Sequence, residues 1–439
     1  MMSKPLKDAK SLKFILIAEA FLAYIYVSLT NGIFLAFLSY KGYNIQDISI
    51  IALASSLPTV TIGFLAYKRV SLIAKAEKKH LLLVHASERL IWLLVPFLSS
   101  LESLLLVYTV KNFFSALISL ILNNIIFSSF NEEGVKEVTS KRNAFASAAS
   151  IIGFLLATFF LTLGDLGFLY SFISGTFIGL VSTGLLGWAK ISRVRTVKPR
   201  KSGEERIFVT SLYQILYSAS VALQGVFWVN YLILDLGSPA YWPALIGVVA
   251  TFTSVFSSLY WGRKPLEFYK VAIFFDSLTP IAIFLVKHYV FHLGIAAYGS
   301  TFGTGAGFLG SFLYARYLGI IGPTRASSLL ILLGGLGQLI ASVLGIAVSS
   351  HLILVAIIAV LRLAALLIAF LTIPEVSIVP AGLARTYAVT LYMTSLQGYR
   401  MTLEFSYETV MTTIRILILT LSLLALYTIY RVAVILMEV

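Results

Sequence analysis

The amino-acid sequence predicts an all-α polytopic membrane protein, and three observations carry this prediction. Its 439 residues are 59% hydrophobic and 12% charged, whereas a soluble domain is about 45–50% apolar and about 25% charged. The mean hydropathy is +0.93. Long apolar runs alternate with short polar breaks, and because one spanning helix needs about 20 apolar residues, the chain has room for about twelve to fourteen spans. So few charges cannot cover a water-facing surface, which excludes a soluble protein.

The apolar runs predict two sets of six spans on either side of the longest polar break. The first set lies near residues 14–39, 46–67, 81–99, 102–129, 143–163 and 166–189. The second set lies near residues 208–234, 241–261, 269–286, 292–315, 325–349 and 352–373. We therefore expect an N-terminal six-helix bundle over 1–189, a basic cytoplasmic linker over 190–207, a C-terminal six-helix bundle over 208–373 and an appended segment over 374–439.

The distribution of basic residues predicts the orientation of these spans. The chain has 33 Lys plus Arg and 19 Asp plus Glu, a net charge of +14. The basic residues concentrate in alternate breaks, including those at 68–79 and 263–270, and the intervening breaks hold few of them. Because basic loops stay on the cytoplasmic side, we expect a multi-pass protein of the cell membrane with a cytoplasmic N-terminus.

Several classes of function lack the residues that they require. The chain has no Cys, which excludes disulfides, thiolate metal sites and cysteine nucleophiles. Its five His form no HExxH pattern and no Walker A sequence is present, so zinc hydrolysis and direct ATP-driven transport have no support. In a membrane protein the positive charge is expected near anionic lipid, not on nucleic acid. We therefore expect no enzyme activity, no cofactor and no metal.

Short matches between the two halves indicate an internal repeat. The tripeptide Gly-Ile-Phe at 32–34 corresponds to Gly-Val-Phe at 225–227, and the basic dyad at 68–69 corresponds to that at 263–264. Each tripeptide lies in the first span of its half, and each dyad follows the second span. Matching topology and spacing around a central linker therefore predict two related bundles.

Three longer segments resemble the major facilitator superfamily of transporters, and the resemblance covers about residues 11–373. These segments are GFLAYKR at 63–69, VTSKRNAFASAASIIGFLLA at 138–157 and GPTRASSLLILLGGLGQLIASVLG at 322–345. The resemblance implies two six-helix bundles related by a pseudo-twofold axis. The cytoplasmic gating loops that it implies contain four basic residues, Lys68, Arg69, Arg263 and Lys264. The first loop departs from the family pattern at Tyr67, where an acidic residue is expected.

Charged residues inside the predicted spans are candidates for a transport site. A charge at mid-helix costs about 2.5–3.5 kcal/mol on insertion scales, so such residues need a function or a partner. Lys111 is similar to the family's basic residue in span four, which implies proton coupling or anion binding; a structural pair with Glu88 is the alternative. Arg362 in span twelve binds a ligand or orients a helix. Adjacent Glu88 and Arg89 point about 100° apart, so at most one of them faces a cavity squarely.

Four further residues are candidates for substrate binding or coupling. Burial favours the protonated form of a carboxylate, so Glu19 in span one and Asp276 in span nine can carry a proton if they face the two sides in turn. A salt bridge or snorkelling is the alternative for both. Asn31 and Trp228 can line a cavity, although a tryptophan in a span also packs against helices or lipid.

These candidates predict a secondary active transporter that moves a small organic solute by alternating access, with proton coupling. A cavity lined by Arg89, Lys111 and Arg362 is net positive, which favours an organic anion. The partners are then the lipid bilayer, the solute and protons. Two alternatives stay open: a transport-inactive subunit of a larger membrane complex, and a lipid flippase of the same fold.

The last 66 residues, 374–439, predict a β-hairpin and a thirteenth transmembrane helix. The segments TYAVTLYM at 386–393 and YRMTLEFSYE at 399–408 alternate between apolar and polar residues around a Gly-containing turn. A lone hairpin is marginal in water, so we expect it to rest on a loop, lipid or a protein partner. The apolar run at 409–436 predicts the helix.

Overall fold

The computed structural model describes five stretches of the chain, residues 5–70, 78–189, 204–239, 241–348 and 350–437. Nearly all of these residues are α-helical, and no β-strand occurs among them. Most of the predicted basic linker, residues 190–203, lies outside the described stretches, and so does part of the basic loop at 68–79. The predicted all-α class is therefore confirmed for the described chain.

The described residues of the first half form seven α-helices. They are α1 (Pro5–Leu29), α2 (Asn31–Tyr40), α3 (Ile45–Lys68), α4 (Lys78–Ile91), α5 (Leu101–Ser129), α6 (Glu132–Leu161) and α7 (Asp165–Leu186). Helices α1 and α2 make one predicted span with a break at Thr30. The side chains of Asn44, Ser100 and Asn131 each accept a hydrogen bond from a backbone N–H three residues further on. These caps satisfy free N–H groups at the starts of α3, α5 and α6.

The described residues of the second half form eight α-helices before residue 374. They are α8 (Glu204–Asn230), α9 (Trp242–Arg263), α10 (Tyr269–Ser277), α11 (Thr279–Leu285), α12 (His292–Arg316), α13 (Leu318–Ile321), α14 (Pro323–Ala347) and α15 (His351–Thr372). The ninth predicted span is split into α10 and α11 just before Pro280, which has no N–H to continue the helix. Gly322 has φ +77°, a conformation that glycine adopts readily, and Pro323 then begins α14.

Within the described residues, 11 helical segments are long and apolar enough to cross a membrane. They correspond to 11 of the twelve predicted spans. The remaining predicted span, the tenth, at 292–315, forms the 25-residue helix α12, whose many Gly, Ser and Thr residues lower its hydropathy. The chain is therefore a multi-pass membrane protein, as its composition predicted.

By chain order the spans form two groups, one on each side of residues 190–203, and helices pack both within each group and between the groups. In the first group, α1 packs against α6 and α7, and α5 packs against α3 and α4. In the second group, α8 packs against α14 and α15, and α12 packs against α9 and α10. Between the groups, α3 packs along α14 and α6 packs along α9. We call the first group (Pro5–Leu186) the N-terminal bundle and the second (Glu204–Thr372) the C-terminal bundle.

Glycines bring α3 and α14 close to each other. A Cβ atom on Gly63 would lie 2.7 Å from the backbone nitrogen of Leu332, and one on Gly335 would lie 2.9 Å from Thr59 Cγ2. Small residues at such positions allow helices in lipid to approach closely. The largest contact between the bundles therefore depends on these two glycines.

Polar contacts join the bundles where α3 and α5 end and α14 begins, which we call the basic end. Thr324 Oγ1 donates to Asn124 Oδ1 across 3.1 Å. The guanidinium of Arg325 lies over the Tyr67 ring, 5.6 Å from its centroid. Tyr67, which stands where the family resemblance implies an acidic residue, thus contacts Arg325 of the opposite bundle.

The predicted C-terminal β-hairpin is wrong, because residues 381–437 form one continuous helix, α16 (Ala381–Met437). The alternation at 386–393 and 399–408 is short, and its Ala, Leu, Met, Gln, Arg and Glu residues are good helix formers. Gly398 costs about 1 kcal/mol inside a helix, which so long a helix tolerates. Residues 409–436 are helical as predicted, and their crossing of a membrane stays a prediction. The described residues from 386 onward belong to a second structural unit of the chain.

Candidate functional site

Glu88 is the centre of a buried hydrogen-bond cluster in the N-terminal bundle. Its Oε2 accepts from the Tyr26 hydroxyl (2.7 Å) and from Arg89 Nη1 (2.8 Å). Its Oε1 accepts from the Ser115 hydroxyl (3.1 Å). Glu88 and Arg89, which the sequence predicts to point apart, therefore pair with each other, and their charges compensate.

Glu19 forms a second buried group beside the first. Its Oε2 accepts from Arg142 Nη2 (2.9 Å), and its Oε1 lies 3.5 Å from His85 Nε2. His85 Nε2 also lies 3.2 Å from Arg89 Nη2, which joins the two groups. We call these five residues, Glu19, His85, Glu88, Arg89 and Arg142, the N-terminal charge cluster.

Lys111 is buried, with 7% of its surface exposed, and makes no ion pair within the described residues. Its Nζ donates to Asn31 Oδ1 (3.1 Å) and to Asn112 Oδ1 (3.3 Å). It also lies over the rings of Trp92 and Tyr108, at 5.2 and 5.1 Å from their centroids. The predicted alternative, a Lys111–Glu88 pair, is not formed. Amide oxygens and aromatic rings hold this cation instead.

Arg362 and Asp276 form the buried charge pair of the C-terminal bundle. Arg362 Nη1 contacts Asp276 Oδ2 directly, and both side chains are about 4% exposed. Arg362 Nε donates to the Ser220 hydroxyl (2.7 Å), and Nη2 donates to Gln224 Oε1 (3.2 Å). The guanidinium also lies over the Tyr217 ring, at 5.1 Å. Each of the three guanidinium nitrogens therefore has a partner, which favours an orienting role.

Trp228 is half-buried and hydrogen-bonded to a second buried histidine. Its Nε1 donates to His292 Nδ1 (2.8 Å), and His292 Nε2 lies 3.0 Å from the Val286 carbonyl oxygen. Trp228 thus packs within the C-terminal bundle. Trp228 also lines the second cavity, which is described next.

Two cavities adjoin these charged groups. A central cavity of about 210 Å³ is lined by both bundles, including Asn31 and Tyr108 on one side and Gln338 and Ser342 on the other. A second cavity, of about 500 Å³, is lined mainly by the C-terminal bundle. Its polar walls comprise Asn143, Tyr217, Gln224, Trp228, Ser254, Asp276, Thr279, Ser300, Thr304 and Arg362. The central cavity therefore adjoins Lys111 through Asn31, which accepts its hydrogen bond, and Tyr108, whose ring it lies over. The second cavity is lined by Arg362 and Asp276 themselves.

The predicted gating residues lie at helix ends away from these cavities. Lys68 and Arg69 are exposed at the end of α3, and Lys68 Nζ lies 4.9 Å from the Phe64 ring centroid. Arg263 ends α9, and Lys264 Nζ lies 4.6 Å from the Tyr260 ring centroid. In each basic pair, the lysine thus lies over an aromatic ring of its own bundle.

Two residues of the N-terminal charge cluster, His85 and Arg142, are not among the site residues that the sequence predicts. His85 lies one helical turn before Glu88 and Arg89, so helix periodicity already indicates a shared face. Arg142 belongs by pattern to a basic loop, but α6 begins at Glu132, eleven residues before the predicted span that starts at 143, and carries Arg142 to Glu19. Among the described residues, no group of three or more His, Asp or Glu side chains is arranged to hold a metal ion.

Neither a protein-family model nor a curated protein matches the chain. Solved structures match it in fold. The E. coli fucose:proton symporter FucP has a TM-score of 0.58 and 13% identity, over 82% of this chain and 98% of that chain. A bacterial homologue of the iron transporter ferroportin, in an outward-facing state, has a TM-score of 0.55 and 16% identity, over 81% of this chain and 98% of that chain.

The same symporter is described as a major facilitator superfamily transporter in its outward conformation, with a TM-score of 0.58 and 12% identity. This chain therefore has the fold of the major facilitator superfamily, as the sequence resemblance implied. Both of these solved structures are transporters.

Proposed function

We propose that the protein is a secondary active transporter that moves a small organic solute by alternating access of its two bundles. The observation that carries this proposal is the central cavity, whose walls come from both bundles. A site between two bodies is exposed to one side or the other as the bodies rock. The fold shared with solved transporters supports the same function.

An organic anion is the solute class that the buried charges favour. Arg89 and Arg362 are compensated by Glu88 and Asp276, so the predicted net positive charge now depends on Lys111 alone. Lys111 is one hydrogen bond from Asn31, which lines the central cavity. An anionic group in that cavity gains an attraction that a neutral solute lacks, since the cation has no carboxylate partner in the part of the chain that the structure describes.

Two buried carboxylates support proton coupling. Glu19 and Asp276 are both buried, and protonation of either weakens an ion pair to an arginine. Asp276 also lines the second cavity, so a solute there can sense its charge. We propose that a proton gradient drives uptake and that the buried titratable groups of the N-terminal bundle, Glu19 among them, bind the proton.

The orientation that we propose follows the positive-inside rule. The ends of α3 and α9 carry Lys68, Arg69, Arg263 and Lys264, and these ends then face the cytoplasm. The N-terminus lies on the same side, and the protein resides in the cell membrane.

Uptake into proteoliposomes across an imposed pH gradient tests this function. We expect gradient-dependent flux of an organic anion that Lys111→Ala or Glu19→Gln abolishes. Sugars and amphiphilic cations in the same assay measure selectivity, and Lys270→Ala, at an exposed position of α10, serves as the control that retains flux. Absence of flux with every class contradicts the proposal.

A transport-inactive accessory subunit is the second candidate, and α16 favours it. Its described part presents exposed large apolar side chains, including Tyr399, Met401 and Tyr407, along a 57-residue helix. Such side chains are available to a protein partner of a larger membrane complex. Purification in mild detergent distinguishes the candidates, since stoichiometric partner subunits without solute flux support the accessory subunit.

A further inference from the structure

The N-terminal charge cluster contains one titratable group that the proposed solute site does not use. His85 is fully buried. Its Nδ1 lies 2.9 Å from the Thr183 hydroxyl on α7, and its Nε2 lies 3.2 Å from Arg89 Nη2 on its own helix. Nε2 also lies 3.5 Å from Glu19 Oε1 on α1. The same nitrogen therefore has both a cation and an anion within reach.

The hydrogen-bond partners define which nitrogen carries the proton in the neutral ring. The Thr183 hydroxyl donates to the Gly179 carbonyl oxygen (3.1 Å), so it accepts from His85 Nδ1. Arginine has only donors, so Nε2 accepts from Arg89. His85 is thus the Nδ1–H tautomer, with its free lone pair on Nε2.

We propose that His85 is a proton-binding site and that its Nε2 exchanges partners when it binds a proton. The proton adds to the Nε2 lone pair, the hydrogen bond from Arg89 Nη2 breaks, and the new N–H donates to Glu19 Oε1. The four fixed charges of the cluster sum to zero, so the cluster becomes +1. The proposal rests on the proton coupling proposed above and assigns the proton to this residue.

The remaining charged neighbours allow this exchange because each keeps a partner. On α4, Arg89 retains Glu88 Oε2 (2.8 Å), which also accepts from Tyr26 of α1. On α6, Arg142 retains Glu19 Oε2 (2.9 Å). On α5, Lys111 is held by amide oxygens and aromatic rings, as described above. No carboxylate loses its guanidinium when the imidazole turns to Glu19.

The exchange has a mechanical consequence. The His85–Arg89 hydrogen bond lies within α4, whereas the His85–Glu19 ion pair joins α4 to α1. Protonation therefore replaces a hydrogen bond within one helix, in which only Arg89 is charged, by a bond between two helices in which both partners are charged. A proton taken up at His85 thus ties α1 to α4, and its release frees them.

Nitrogen-15 NMR of the full chain in liposomes, labelled at its five His, tests the proposal, with the His85→Gln variant to assign the signal. At about pH 8 we expect a protonated Nδ1 and an unprotonated Nε2, and at about pH 5 we expect both nitrogens protonated. His292 is the internal control. Trp228 donates to its Nδ1 and its Nε2 faces the Val286 carbonyl oxygen, so at about pH 8 it should show the opposite tautomer.

The Glu19→Gln variant adds a quantitative arm. Removing the acceptor should lower the ratio of protonated to neutral His85 about tenfold at a given pH, since a nearby opposite charge is worth about one pH unit or more. An Nε2–H tautomer at about pH 8, or a His85 that stays neutral down to about pH 5, overturns the proposal. The NMR needs no solute, so failure of solute flux with a titrating His85 removes the transport function and leaves the proton site.

Discussion

Arg362 in the C-terminal bundle contacts its carboxylate partner directly, whereas Lys111 in the N-terminal bundle has no carboxylate partner within the described residues. The N-terminal bundle also holds His85 between a cation and an anion. Arginine stays charged in proteins, but histidine changes charge near neutral pH. We infer that the C-terminal pair is a fixed structural element and that the N-terminal bundle responds to protons and to the solute.

The largest effect is expected where the fixed pair is broken. Asp276→Asn leaves Arg362 buried without a carboxylate, which typically costs about 3–5 kcal/mol. We expect the free energy of unfolding, measured by denaturant titration in detergent, to fall by that order. Asp165→Asn is the matched control, since Asp165 pairs with Lys41 at an exposed position and should cost at most about 1 kcal/mol. Equal losses in the two variants would refute the assignment of a fixed buried pair.

A smaller effect, neutral or stabilising, is expected when Lys111 is replaced. Lys111→Met removes a buried charge without orphaning a carboxylate, so we expect the free energy of unfolding to stay within about 1 kcal/mol of the wild-type value or to rise. Arg362→Met, in the same titration, orphans Asp276 and should destabilise. If Lys111→Met destabilises as much as Arg362→Met, then Lys111 is a structural residue and the comparison fails.

The smallest effect is expected at the basic end, where Tyr67 contacts Arg325 of the other bundle. A cation–π contact at such a site is worth about 0.5–1 kcal/mol. Tyr67→Leu should lower the free energy of unfolding by that amount, and Tyr67→Phe, which keeps the ring, should not. A loss in Tyr67→Phe equal to that in Tyr67→Leu shows that the hydroxyl, not the ring, makes the contact.

Hydropathy predicted the membrane class and a helix at each of the twelve spans, because each span needs only its own composition to be recognised. It also identified Glu19, Glu88, Arg89, Lys111, Asp276 and Arg362 as buried charges, and all six are buried in the structure. The C-terminal hairpin failed because a period of two over eight to ten residues does not outweigh good helix formers without neighbouring strands. A local sequence pattern therefore predicts a helix or strand reliably only when the pattern extends over enough residues.

The pairing of the charges was beyond the sequence. Glu19 and Arg142 are separated by 123 residues, and their contact depends on how α1 and α6 are rotated and shifted against each other. Helix periodicity allows His85 to share a face with Glu88 and Arg89, but it gives no sign that Glu19 completes the cluster. Partner choice is set by helix packing, and a single sequence carries no direct signal for it.

Side-specific labelling of one introduced cysteine tests the central claim, that the central cavity opens to each side of the membrane in turn. Ser342 lines this cavity and is buried, and the chain has no native Cys to compete. In sealed liposomes we expect Ser342→Cys to react with a membrane-impermeant maleimide added to either side. Reaction from one side only, whatever the pH gradient, would contradict alternating access.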